Sequence, residues 1–140
     1  MESIPHDATA ALFSVPSSTP SPTHAEHSSF RCQISREHLL PALTLVQAIA
    51  EPRTSLPILS HVGLEARATA TLELRATDME IGLSRQCPAI VNTTGVCTAD
   101  ARRLYEIVRA LPLGLLTLES TLAHGLTITQ DKRRFRLPSL

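Results

Sequence analysis

The sequence predicts an α+β domain in which a strand, a helix and three strands occur in that order, twice. Two stretches, Leu39 to Ala50 and Leu104 to Leu111, carry apolar residues at spacings of three and four, the period of a half-buried helix. Each is followed by short runs that alternate apolar and polar, the period of strands. Composition agrees: 43% hydrophobic residues in a 140-residue chain suffice for one core, which 3% aromatics and no Trp restrict largely to Leu, Ile, Val and Ala. Such a duplication favours two antiparallel sheets with both helices on one side.

Residues 1–29 are expected to form a disordered tail, and residues 30–140 the domain. The tail is rich in Ser, Thr, Pro and Ala, and Pro5, Pro16, Pro20 and Pro22 interrupt any periodicity. It has neither the basic start and apolar run of a secretory signal nor the arginines of a mitochondrial presequence. His24 and His27 lack further ligands for a metal. Phe30, Cys32 and Ile34 then alternate as a strand, and Ser35 offers a helix N-cap. The first helix runs to about Ala50, with Pro41 either preceding its regular part or bending its first turn.

Pro52 ends that helix and leaves Arg53 on an exposed corner. Leu56 to Leu59, Val62 to Ala66 and Thr71 to Thr77 read as strands, Asp78 as a turn. Met79, Ile81 and Leu83 read as the apolar face of a further strand, ended by Pro88 and an Asn92-Thr93-Thr94-Gly95 turn. Val96 and Cys97 open the second unit, and Thr98 or Asp100 caps its helix. Arg102, Arg103, Glu106 and Arg109 lie off its apolar stripe, and Leu111-Pro112 stops it. Leu115 to Glu119, Leu126 to Thr129 and Arg134 to Leu137 complete the strands.

Formal net charge is zero, but its distribution is uneven. The tail holds Glu2, Asp7 and Glu26 and no basic residue, so the rest of the chain has thirteen basic against ten acidic groups, a net of +3. Twelve of the thirteen are Arg, whose planar fork suits phosphate or carboxylate. Three widely spaced cysteines, with no CxxC pair, fit a reduced, cytoplasmic setting. No apolar run approaches the roughly 20 residues of a membrane helix. Asp78 and Glu80 have no third carboxylate or His placed beside them, Cys97 has no base, and phosphate-binding glycine loops and nucleophile elbows are absent. The reading is of a non-catalytic protein without metal or cofactor.

Five segments, in order and spacing, resemble the first domain of the bacterial sliding clamp, the beta subunit of DNA polymerase III. They are Ser35-Arg36-Glu37-His38-Leu39-Leu40, Arg53-Thr54-Ser55-Leu56-Pro57-Ile58-Leu59, Ala76-Thr77-Asp78-Met79-Glu80, Asp100-Ala101-Arg102-Arg103 and Arg134-Phe135-Arg136-Leu137. The resemblance covers Phe30 to Leu140. It implies a DNA-clamp (processivity) fold from a ring with three such domains per chain and two chains, helices lining the hole and sheets on the rim. This chain would supply the first domain, ending about where the linker to the second begins. Polymerase and clamp loader would engage later domains.

The resemblance assigns roles to residues. Arg53, Arg102, Arg103 and Arg109 would face duplex DNA, for which a weak, sequence-blind attraction to phosphate suffices. An ordinary solvated helix face explains the same arginines. Pro41 stands where the family supplies a lysine. Lys132, Arg134, Phe135 and Leu137, joined by Arg103, would form an edge pairing with another clamp subunit; Phe135 and Leu137 as core residues is the competing reading. A truncated clamp fragment or interaction module that pairs through this edge, without DNA activity alone, is the alternative function.

Overall fold

The computed structural model describes residues 29–50, 56–122 and 125–139. Among these residues nine strands and two α-helices follow in the order β1 (Arg31–Ser35), α1 (Arg36–Ile49), β2 (His61–Arg67), β3 (Thr71–Thr77), β4 (Gly82–Pro88), β5 (Ile90–Thr93), β6 (Gly95–Asp100), α2 (Ala101–Ala110), β7 (Leu115–Thr121), β8 (Gly125–Gln130) and β9 (Arg133–Leu137). The predicted unit is therefore present twice, as β1-α1-β2-β3-β4 and β6-α2-β7-β8-β9, with β5 between them.

The two units exchange their first strands. One antiparallel sheet has the order β5-β1-β7-β8-β9 and the other β4-β3-β2-β6. Thus β1 pairs with β7 of the second unit, Cys32 opposite Leu118 and Ile34 opposite Leu116, while β6 pairs with β2 of the first, Ala99 opposite Val62 and Cys97 opposite Leu64. Neither unit can complete its sheet without the other, so burial is shared. Phe30, Ile34, Leu64, Leu74, Leu104 and Leu118 all lie in one core and are at most 1% exposed.

Ser35 caps α1 as expected, and of the two candidates for α2, Thr98 and Asp100, it is Asp100 that caps it. Ser35 Oγ accepts from the His38 backbone N–H at 3.2 Å, and an Asp100 carboxylate oxygen accepts from that of Arg103 at 2.9 Å. Pro41 lies inside α1 on its exposed side, and the helix runs through it with Leu39, Ala42, Leu43 and Val46 buried. At the other end of the α1–α2 pair, Arg36 donates from Nε to Val108 O at 3.0 Å and from Nη2 to Arg109 O at 2.9 Å. A cation there satisfies carbonyls at the last turn of α2 and opposes its dipole.

Three expectations are corrected. Leu56 to Leu59 is not a strand: Pro57–Ser60 forms a 3₁₀ turn with Pro57 at its start, and only Leu59 is buried, Ile58 being 52% exposed. The strand read from Met79 begins at Gly82, because Asp78 accepts from the backbone N–H groups of Glu80 and Ile81 at 2.9 and 2.7 Å and Met79 turns to φ 83°. Asn92 and Thr93 belong to β5 instead of a turn.

Candidate nucleic-acid interface and sheet edge

On α2, buried Ala101, Leu104 and Val108 define one side, and Arg102, Arg103, Glu106 and Arg109 lie exposed within about a third of the helix circumference at 3.6 residues per turn. Arg102 Nε approaches Glu106 Oε2 at 3.5 Å, an exposed i,i+4 pair that contributes little to stability. The Arg109 guanidinium lies 5.6 Å from the Tyr105 ring centroid, which steadies its long side chain without neutralising it. Arg102 and Arg103 border a cleft of about 270 Å³ with Gln47, Ala50, Ser60, Asp100 and Glu106, where the end of α1 meets the start of α2. Arg53 lies outside the described residues.

The exposed positions of α1 are Glu37, His38, Pro41, Thr44, Leu45 and Ala48, so the described arginines exposed on the two helices all belong to α2. This surface can attract a polyanion through charge and forked donors. Forked donors on long exposed side chains suit phosphate oxygens, contacts that position a duplex without reading its sequence.

At the far side, β9 is the edge of the five-stranded sheet and pairs along one side with β8, Phe135 opposite Ile128 and Leu137 opposite Leu126. Lys132, Arg133, Arg134 and Arg136 are exposed, with no acid within ion-pair distance among the described residues. Phe135 is 38% exposed at the rim of the apolar face, whereas Leu137 is 4% exposed. Leu137 is therefore core, and its side chain is not available for edge contact. α2 touches β9, so the helix that carries the arginines adjoins the strand that carries the basic edge.

Among the described residues no three His, Cys, Asp or Glu cluster to hold a metal. Asp78 is held below the usual carboxylate range by the Ile81 and Glu80 backbone N–H groups, the turn role expected of it. Burial pushes the Cys32 and Cys97 thiols up to about 12, opposite to a reactive thiolate.

One cluster escaped the sequence reading. Glu73 on β3 stands directly opposite Glu65 on β2, and Arg67 and Arg75 bridge the two. Glu73 is 6% exposed; its Oε1 accepts from Arg75 Nη2 at 2.8 Å and from Arg67 Nη2, and its Oε2 from Ser84 Oγ at 2.6 Å. The Ser84 hydroxyl first, then Arg75 and Arg67, hold its carboxyl below the usual range against the opposing effect of burial. The charge alternation along β2 and β3 was visible in the sequence, but the desolvation of one acid was not.

A duplicated α+β domain with exchanged first strands, paired helices and a cationic second helix has the architecture of a sliding-clamp domain. Similarity to solved structures places it in that class: the Caulobacter crescentus beta sliding clamp superposes with a TM-score of 0.76 at 38% identity, over 81% of this chain and 30% of that one. The DNA polymerase III subunit beta of Pseudomonas aeruginosa gives 0.74 at 33% identity, over 79% and 30%. Residues 30–140 match the family described as DNA polymerase III beta subunit, N-terminal domain, and the chain belongs to that family. Among named relatives, the beta sliding clamp of Caulobacter vibrioides is 38% identical over 109 residues, 76% of this chain and 29% of the relative; that of Escherichia coli K12 is 31% identical over 108 residues, 76% and 29%. The chain thus spans a little under a third of the length of the curated relatives it matches. Among the described residues, no helix is long and apolar enough to cross a membrane.

Proposed function

We propose that this domain forms one segment of a ring that encircles duplex DNA and holds a replicative polymerase on its template, without catalysis of its own. The family match over residues 30–140 carries the reading. Arg102, Arg103 and Arg109, together with Arg53, face the phosphates. Lys132, Arg134 and Phe135, with Arg103 alongside, meet an acidic edge of another clamp domain. Retention is topological, since a few phosphate contacts bind only weakly and in a salt-dependent way. Polymerase and clamp loader engage domains other than this one.

The interaction-module reading draws support from Phe135 and the unneutralised basic edge, which would serve pairing even without DNA. Duplex binding separates the two. If three α2 arginines each neutralise one phosphate, they contribute about −2.7 to the slope of log affinity against log salt, a loss of roughly 40-fold between 50 and 200 mM. Fluorescence anisotropy on a short duplex should show that steepness, reduced by about that amount in the Arg102→Ala/Arg103→Ala/Arg109→Ala variant. A slope the triple variant leaves unchanged would remove α2 from the DNA-facing surface.

A further inference from the structure

β9 closes one side of the five-stranded sheet, and its chemistry both invites and resists a further strand. Among the described residues its single ladder neighbour is β8, so the backbone groups along its other side face no strand. The turn before it settles which groups these are. Gln130 and Arg133 stand opposite each other across Asp131 and Lys132, the closing hydrogen-bonded pair of a tight hairpin in which Asp131 takes a φ of 53°. By alternation Phe135 and Leu137 also bond to β8, and Arg134 and Arg136 turn their N–H and C=O groups outward.

A second copy of this chain offers the same edge, and an isologous pair of such edges runs antiparallel about a twofold axis. Outward groups must meet outward groups, so residues 134 and 136 face 134 or 136 of the other copy in every register that joins them. With the axis at Phe135, each Arg134 lies opposite the other copy's Arg136, and the two Phe135 rings, each 38% exposed, meet at the centre. Moving the axis to residue 134 or 136 sets an arginine against itself. Open backbone groups and an exposed aromatic thus favour self-pairing, while like charges directly opposite disfavour it. No acid offsets them. Lys132, Arg133, Arg134 and Arg136 are exposed and belong to none of the ion pairs among the described residues.

We propose that the arginines of β9 bar this edge to a second copy of the same chain and reserve it for a strand that carries acids opposite Arg134 and Arg136. The natural occupant rests on the edge-pairing role proposed above; the exclusion of self rests on β9 alone. A contact that cannot be isologous must join unlike surfaces, and repetition of such contacts is what closes a ring.

Sedimentation equilibrium of the full 140-residue chain, at about 50 and about 500 mM salt, tests this. Arg134→Glu sets a carboxylate opposite Arg136 at both ends of the pair. It is expected to tighten self-association about 30-fold at the lower salt, the factor given by two cross-strand pairs turned from repulsion to attraction. Arg133→Glu changes net charge equally, but position 133 lies opposite Leu137 in that register, so this variant should associate no more than the parent. Arg134→Glu/Arg136→Glu should be monomeric alone and pair with the parent when the two are mixed. Higher salt should loosen the Arg134→Glu dimer and ease the repulsion between parent chains. The substituted positions are exposed, so each variant should keep the parent's thermal transition. Self-association of Arg134→Glu no tighter than the parent's, equal tightening by Arg133→Glu, or a parent that dimerises more at low salt than at high would overturn the proposal. None of these readouts involves DNA, so they stand or fall apart from the ring.

Discussion

Replacing Glu73 by Gln removes a charge while keeping the shape that meets Ser84. The variant loses the attraction of one nearly buried carboxylate for Arg67 and Arg75, whose side chains are 35% and 58% exposed. A hydrogen bond to a charged group contributes about 1.5–3 kcal/mol. Arg75 recovers most of its share from water, and Arg67 keeps a contact to Glu65 at 3.3 Å, so a net loss of about 2 kcal/mol is expected. For a domain of this size that lowers Tm by roughly 8 °C.

The pH dependence adds a sharper criterion. The folded pKa of Glu73 is depressed, so its contribution is complete above the unfolded carboxyl value, about 4.3, and is lost as pH falls through the folded value. Urea titrations of parent and Glu73→Gln should differ by a constant amount near neutral pH, and the gap should close in acid. A variant as stable as the parent at pH 7, or a gap unchanged in acid, would refute the account of this cluster.

Two further substitutions probe the edge and the turn beside it. Phe135→Asp should weaken association with a partner clamp domain by about 30-fold or more, as loss of an aromatic anchor does, while the thermal transition of the single chain moves little; sedimentation and calorimetry report the two, and a collapsed transition would make Phe135 a core residue. Gly125→Ala forces a Cβ toward Pro138 Cα at 3.0 Å and Ser139 N at 2.9 Å from a positive φ. It should destabilise by about 3 kcal/mol in chemical denaturation, and an unchanged midpoint would show that residues 137–139 yield without cost.

Much of the fold could be read locally. Helix period, the Ser35 and Asp100 caps and the alternation of β2, β3, β7 and β8 sit within windows of a few residues, so the duplicated unit was legible. The exchange of β1 and β6 was not, because partners some 85 residues apart for β1 and roughly 30 to 40 apart for β6 leave no mark on local period. Leu56 to Leu59 misled because three apolar residues in four suggest burial, while Pro57 closes a turn that leaves Leu56 and Ile58 outside. Met79 misled because its alternation with Ile81 and Leu83 runs across a turn set by the Asp78 side chain. At the candidate site, the exposure of Arg102, Arg103 and Arg109 followed from the helical period alone. Leu137 and Phe135 share a strand face, and only the position of β9 at the sheet edge separates the buried leucine from the half-exposed phenylalanine.

The most direct measurement exchanges residues 30–139 for the first domain of the Caulobacter vibrioides beta sliding clamp and follows the chimera on DNA after loading. The account predicts a closed ring that stays on nicked circular duplex at high salt and is lost once the circle is cut. A folded chimera that fails to close, or that leaves circular and linear DNA at the same rate, would contradict it.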